Sequence, residues 1–254
     1  MYEETHDPRI ELAYMTRPEA EAALRKRCRA ILPVGATEQH GSHLPMGTDT
    51  FLAHELSMRL ADRLGAVVLP TLPVSYSWVW RDIPGSLFID QGIVREVIKG
   101  IARSLEPTAV EQLIIVNGHG ANQSALKYAA RELADEIGLR VFYFTYPGLD
   151  TVSELAESPQ WHGMVHACEL ETSWLLAVRP ELCRMEAAVR EYPEDRPAFA
   201  YHYSTLPMGA LSKSGVFGDA TLATQEKGSS MVEVMVSMME EIVRASGSLK
   251  EESV

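Results

Sequence analysis

"LIIVNGHGANQSALKYAARELADEIG", Leu113 to Gly138, changes period part-way along. It begins with an uninterrupted aliphatic run, the pattern of a strand buried on both faces of a parallel sheet. From Gln123 onward it reads as a helix, with Asn122 as the expected cap and Gly138 as the stop. A tight glycine-rich turn, "NGHGAN", joins the two. A strand that feeds straight into a helix is one half of a βαβ unit.

The same alternation runs outward in both directions. Residues 30–34 ("AILPV") are a short apolar run ended by Gly35, and 66–70 ("AVVLP") a second. Between them, 49–64 places Leu52, Leu56, Leu60 and Leu64 on one helical stripe, with Thr48 or Asp49 available as a cap. Residues 91–105 form another helix and "VFYFTY" (141–146) another strand. A helix is expected over 169–178, an irregular stretch over 180–225, and a long amphipathic helix over 225–246. Neither repeats nor linkers interrupt this pattern. The expectation is an α/β fold in one domain spanning 1–254, its mostly parallel sheet covered on both faces. Ligands of such sheets bind beyond the carboxyl ends of the strands.

The bulk numbers agree with one large domain: 254 residues, 46% hydrophobic and 23% charged. A net charge of −12 and the lack of a basic patch exclude nucleic acid as the expected partner. Three cysteines (Cys28, Cys168 and Cys183) without a CxxC pair argue against both a disulfide framework and a cysteine-rich zinc knuckle. The N-terminus "MYEETHDPRIELAYM" carries no apolar signal core, and no run of 18 apolar residues occurs. A cytoplasmic protein with no membrane partner is therefore expected.

The polar residues gather in the post-strand loops. "GATEQHGSHLPMGTD" (35–49) places Glu38, His40, His43 and Asp49 just after the first apolar run. Any one His or Glu in a loop is ordinarily solvated; several in adjoining post-strand loops suit a divalent cation. Glu38 and His40 are one residue apart on an extended loop, so both can reach one centre or two adjacent ones. Asp49, fixed by the first turn of a helix, has two oxygens with which to bridge two cations. Mixed His and carboxylate donors suit zinc, manganese or iron(II) better than calcium. In "NGHGAN" the phosphate-binding patterns GxGxxG and GxxxxGK[ST] both fail, so the glycines read as spacers that bring His119 to a metal.

A third cluster, "HACELETS", opens the helix at 169. Glu169 and Glu171 are two apart and cannot face one way on a helix, so one can ligate while the other braces. His166 is the candidate general acid or base. Cys168 reads as a small buried thiol, and His54 as structural or exposed. His6, His162 and His202 carry no legible signal. Serine-hydrolase elbows and HExxH are absent.

Four stretches taken together, "PVGATEQHGSHLPMGTD", "VNGHGAN", "HACELETS" and "SGVFGDATLATQEKG", strongly resemble the creatininase family, in the family's order and across residues 33 to 228. The resemblance implies a three-layer α/β/α domain and two divalent cations, zinc, manganese or iron(II). It implies Glu38, His40, Asp49 and His119 as ligands, with Asp49 bridging. Where creatininase itself has a glutamate two residues after the histidine, this chain has Ala121. It looks like the branch that reads NGHGGN and carries an extra glutamate in HAGExETS, which makes Glu169 the expected fifth ligand. His166 matches a histidine of proton transfer. Many relatives have a histidine before Phe-Pro-Gly where this chain has Trp78, Trp80 and "DIPG". The two tryptophans shape a pocket for a flat ligand or fill a subunit interface, and Glu171 joins them as a candidate pocket residue. The implied activity is hydrolysis of a small polar cyclic amide or formamide by metal-activated water. The alternatives are hydrolysis of a cyclic keto-sugar, an inositol-derived ketone, and, in another class, a non-catalytic metal-binding scaffold. The family also implies a homo-oligomer, a hexamer.

Overall fold

The computed structural model describes residues 10–194 and 203–248; His6 and His202 lie outside them. The chain runs α1 (Arg17–Arg27), β1 (Arg29–Val34), α2 (Thr48–Leu64), β2 (Val67–Val68), α3 (Gln91–Leu105), β3 (Gln112–Asn117), α4 (Gln123–Glu136), β4 (Arg140–Thr145), α5 (Leu149–Ser153), α6 (Glu169–Val178), β5 (Arg190–Glu191), β6 (Gly218–Asp219) and α7 (Gln225–Ser248). Strands β2, β1, β3 and β4 lie side by side in that order, all parallel. β5 and β6 form a small antiparallel pair within the stretch expected to be irregular.

Side-chain alternation along the central strands builds the three layers. Ala30, Leu32 and Val34 of β1, with Leu113 and Ile115 of β3, pack against Val94, Ile98 and Ala102 of α3 and Leu126, Ala129 and Leu133 of α4. Ile31, Ile114 and Val116 point the other way, into a core made with α2, α6 and α7. Both faces of the sheet are therefore covered, as the unbroken aliphatic runs required.

Parallel strands share one carboxyl edge. Val34 pairs with Asn117, and Asn117 with Thr145, so the segments that follow β1, β3 and β4 leave the sheet at the same level. Neither α2 nor α4 is capped by a side chain. The cap position of α2 is Gly47, which puts Asp49 inside the first turn. Asn122 stands at the N-cap position of α4, as expected, but its side chain makes no capping bond. Its amide donates to Ser75 Oγ and Asn117 Oδ1 (both 3.0 Å) and its carbonyl accepts from the Tyr76 N–H, tying the β2–α3 segment to the β3 loop.

Gly118 is the closest approach in this edge. A Cβ there would overlap the carbonyl oxygen of Asp49, so glycine lets α2 rest against the β3 loop. Gly118→Ala is expected to destabilise by about 1–3 kcal/mol, the usual range for overpacking. Gly100→Ala, in open space on α3, is expected to stabilise by about 0.5–1 kcal/mol. Thermal denaturation of the two variants checks this pair; an unchanged melting point for Gly118→Ala would refute the contact.

Candidate metal centre

The segments leaving the sheet edge bring six titratable side chains together. Glu38, His40, Asp49, His119, His166 and Glu171 are all at most 5% exposed. Asp49 stands in the middle. Its Oδ1 lies 3.1 Å from His40 Nε2, and its Oδ2 lies 3.0 Å from His119 Nδ1. Glu38 Oε1 lies 3.4 Å from His119 Nδ1, and Glu171 Oε2 lies 3.3 Å from His40 Nε2. Two sets of three donors follow, Glu38–Asp49–His119 and His40–Asp49–Glu171, each compact enough for one ion. They share Asp49, which offers a different oxygen to each side.

Backbone carbonyls orient the two central imidazoles. His40 Nδ1 lies 3.1 Å from the Glu38 carbonyl oxygen, and His119 Nε2 lies 2.9 Å from that of Tyr76. A carbonyl only accepts, so each of these nitrogens donates its N–H and the opposite ring nitrogen faces the carboxylates. Glu38 Oε2, His40 Nε2 and Asp49 Oδ2 are buried without a well-formed hydrogen bond. Buried donor atoms seldom go unpartnered, and this donor chemistry fits a divalent transition metal.

The electrostatics have the same sense. Burial pushes the Glu38 carboxyl up to about 7, against the pull of His119. Burial also resists charging Asp49, but His40 and His119 outweigh it and hold Asp49 well below the usual carboxylate range. Burial disfavours the charged forms of His40 and His119. Glu171 and Asp49 nevertheless raise His40 well above its ordinary value, and Glu38 and Asp49 raise His119 to about 9. Protons on imidazole here stand where cationic charge is wanted.

Two expected residues are corrected. Glu169 does not reach the cluster. Its carboxylate accepts from Lys227 Nζ at 2.7 Å and from the backbone N–H groups of Glu157 and Ser158, away from the other donors. It opens α6 as the first helical residue, and Glu171, two residues on, points elsewhere at about 100° per residue. Trp78 is likewise outside: its ring packs under the Arg81 guanidinium, 3.5 Å from the ring centroid. Trp80 is inside, stacked on His166 at 4.5 Å between ring centroids.

His43 is buried behind the centre, with Nε2 2.9 Å from Thr172 Oγ1; burial and the neighbouring His40 push it down to about 4. His54 sits with Nδ1 3.2 Å from Thr71 Oγ1. Cys168 is buried, its thiol raised to about 11 by that burial and by Glu171. Among residues the sequence did not single out, Gln39 touches His166, and the Tyr146 hydroxyl donates to the Gly118 carbonyl at 2.8 Å. Both lie next to a recognised element, Gln39 between two ligand candidates and Tyr146 at the end of a strand.

The donors open into a cavity of about 340 Å³ walled by Val79, Trp80, Leu149, Met164, Val165 and Met208. Residues 13–243 match the model of the family described as creatininase, creatinine amidohydrolase. The chain belongs to the creatininase family. Among its curated relatives, creatinine amidohydrolase of Pseudomonas putida is 29% identical over 85% of this chain and 89% of its own. The 3-dehydro-scyllo-inosose hydrolase of Thermotoga maritima is 26% identical over 91% and 81%. A mycofactocin precursor peptide peptidase of Mycobacterium ulcerans is 31% identical over 81% and 80%. A crystal structure of creatinine amidohydrolase superposes with a TM-score of 0.80 at 27% identity, covering 93% of this chain and 97% of that one. Creatininase structures of Zn–Zn type and with Mn superpose at 0.78, at 27% and 26% identity, each covering 93% and 98%. The chain is thus a metal-dependent hydrolase of the creatininase family. No helix among the described residues is long and apolar enough to cross a membrane.

Proposed function

We propose that this hydrolase opens the C–N bond of a cyclic amide or formamide group in a small compound. One divalent cation is held by Glu38, Asp49 and His119, and a second by His40, Asp49 and Glu171. The observation that carries the reading is the pair of three-donor sets sharing Asp49 at the floor of a cavity. Bound there, such cations supply Lewis-acid polarisation of a carbonyl and acidify water to a nucleophile near neutral pH. The protein's own residues do the rest. Trp80 and the apolar wall seat the flank of the substrate and exclude bulk water. His166 lines the same cavity, with Nδ1 3.5 Å from Glu38 Oε1. Burial and the neighbouring His40 hold it well below its ordinary value, so the ring is neutral. Its N–H donates a hydrogen bond to the leaving nitrogen, whose new proton comes from the attacking water. Few wall groups can partner a ring of hydroxyls, which favours an amide over a keto-sugar.

The test is elemental analysis of protein purified without chelator, beside a hydrolysis screen of cyclic amides, formamides and cyclic keto-sugars. About two transition-metal ions per chain, as in two-metal hydrolases, and turnover of an amide are expected. Turnover of the keto-sugars alone would replace the substrate. Protein that turns over none of these compounds even with added zinc, manganese or iron(II) would be the non-catalytic scaffold.

Cation binding is also expected to release protons. His119, raised to about 9, and His40, raised well above its ordinary value, are protonated at pH 7 without metal and must lose a proton to ligate. The sign follows: apparent zinc affinity rises with pH until these protons are gone, through about pH 9 for His119. Calorimetry at pH 7 in buffers of different ionisation heat measures the release. A buffer-independent heat would show that neither histidine gives up a proton.

A further inference from the structure

Three buried imidazoles face the same carboxylates, and geometry alone would let all three ligate, because Glu38, His40 and His166 also form a compact set of donors. What lies behind each ring separates them. His40 and His119 are backed by carbonyl oxygens, which accept. His166 is backed by the side-chain amide of Gln39, whose Nε2 lies 2.7 Å from His166 Nε2.

The orientation of that amide is fixed by its other two contacts. Gln39 Oε1 accepts from the Gly41 N–H at 3.0 Å, and Gln39 Nε2 donates to the Gly215 carbonyl at 3.1 Å. Turning the amide over would set two donors against each other at Gly41 and two acceptors at Gly215. The amide N–H left over points at His166 Nε2, which must therefore offer its lone pair. In neutral His166 the proton then sits on Nδ1, the nitrogen on the Glu38 side. Trp80, stacked on the ring, and Phe217, edge-on to it, hold the plane. Gly215 keeps the amide in place: it has φ +81, and a Cβ on it would collide with the Gln39 carboxamide.

We infer that Gln39 is a positioning residue that puts the His166 proton on Nδ1, which keeps His166 out of the ligand set and leaves it an N–H with which to donate a hydrogen bond into the cavity. The inference rests on the metal centre proposed above. It gives a function to "SGVFG", whose Gly215 supplies both the carbonyl and the space.

The test is nitrogen NMR of the full chain labelled with ¹⁵N-histidine, first metal-stripped and then titrated with zinc chloride; the His166 signals are those lost in His166→Gln. Expected in the unsubstituted protein is a protonated Nδ1 and an unprotonated Nε2 on His166, which keep their shifts as zinc is added while two other histidines take metal-bound shifts. Gln39→Met removes the donor, and the His166 signals are expected to move toward a mixture of tautomers. Gly215→Ala, which displaces Gln39 without altering it, is expected to do the same. A proton on Nε2 in the unsubstituted protein, a zinc-induced shift at its Nδ1, or an unchanged tautomer in Gln39→Met would overturn the inference. If no histidine responds to zinc, the metal centre fails, and the tautomer read before zinc still decides the role of Gln39.

Discussion

Protein carrying Asp49→Ala is expected to retain neither cation, and its hydrolytic turnover to fall by about three orders of magnitude or more, since metal assistance is worth several kcal/mol. Each oxygen of Asp49 faces a different histidine, His40 at 3.1 Å and His119 at 3.0 Å. Alanine therefore leaves two donors on each side, where three stood. No neighbour replaces the loss: Glu38 lies toward His119 and Glu171 toward His40. The fold should survive. Asp49 lies in the first turn of α2 without capping it, and a carboxylate at that end contributes about 0.3–1 kcal/mol to a helix. Elemental analysis of dialysed protein, with a circular dichroism spectrum as control, separates loss of metal from loss of structure. Metal content equal to that of the unsubstituted protein would remove Asp49 from its bridging role.

The elements that position Asp49 were legible because they are set by period. Aliphatic runs gave β1 and β3, and the leucine stripe gave α2, each within a residue or two of its place. The same chemistry hid α1: none of its residues is buried, so it has no apolar stripe. Its signal was of another kind, the capping box of Thr16 and Glu19 with Pro18 inside the first turn. Both misplaced side chains have one cause. Glu169 and Glu171, like Trp78 and Trp80, are two residues apart at a helical start, so they face nearly opposite ways and only the phase of the helix decides which one is inward. Period cannot decide such a pair; the partner across the fold does. Lys227 of α7 claims Glu169, and Arg81 claims Trp78. The Gln39 contact was illegible for a similar reason, since its partners Gly215 and His166 lie more than a hundred residues away.

That division of labour predicts opposite phenotypes for the two glutamates. Glu171→Gln is expected to lose one cation and most of the activity. Its Oε2 faces His40 Nε2 while also accepting the Ala167 N–H at 2.6 Å, and an amide brings neither the charge nor the same acceptor strength. Losing a direct ligand should weaken that site by more than the 10–100-fold typical of residues that only brace one. Glu169→Gln is expected to keep its metal and lose stability. Its buried carboxylate holds Lys227 and the N–H groups of Glu157 and Ser158, and so pins the segment that runs on to His166 against α6 and α7. Weakening hydrogen bonds to a buried charge costs about 1–3 kcal/mol, visible as a lower melting temperature. Zinc titration followed by thermal denaturation reads both effects on the same samples. If Glu169→Gln sheds metal while Glu171→Gln keeps it, the second three-donor set has been drawn around the wrong carboxylate. The sharing of Asp49 would then have to be rebuilt from His40 outward.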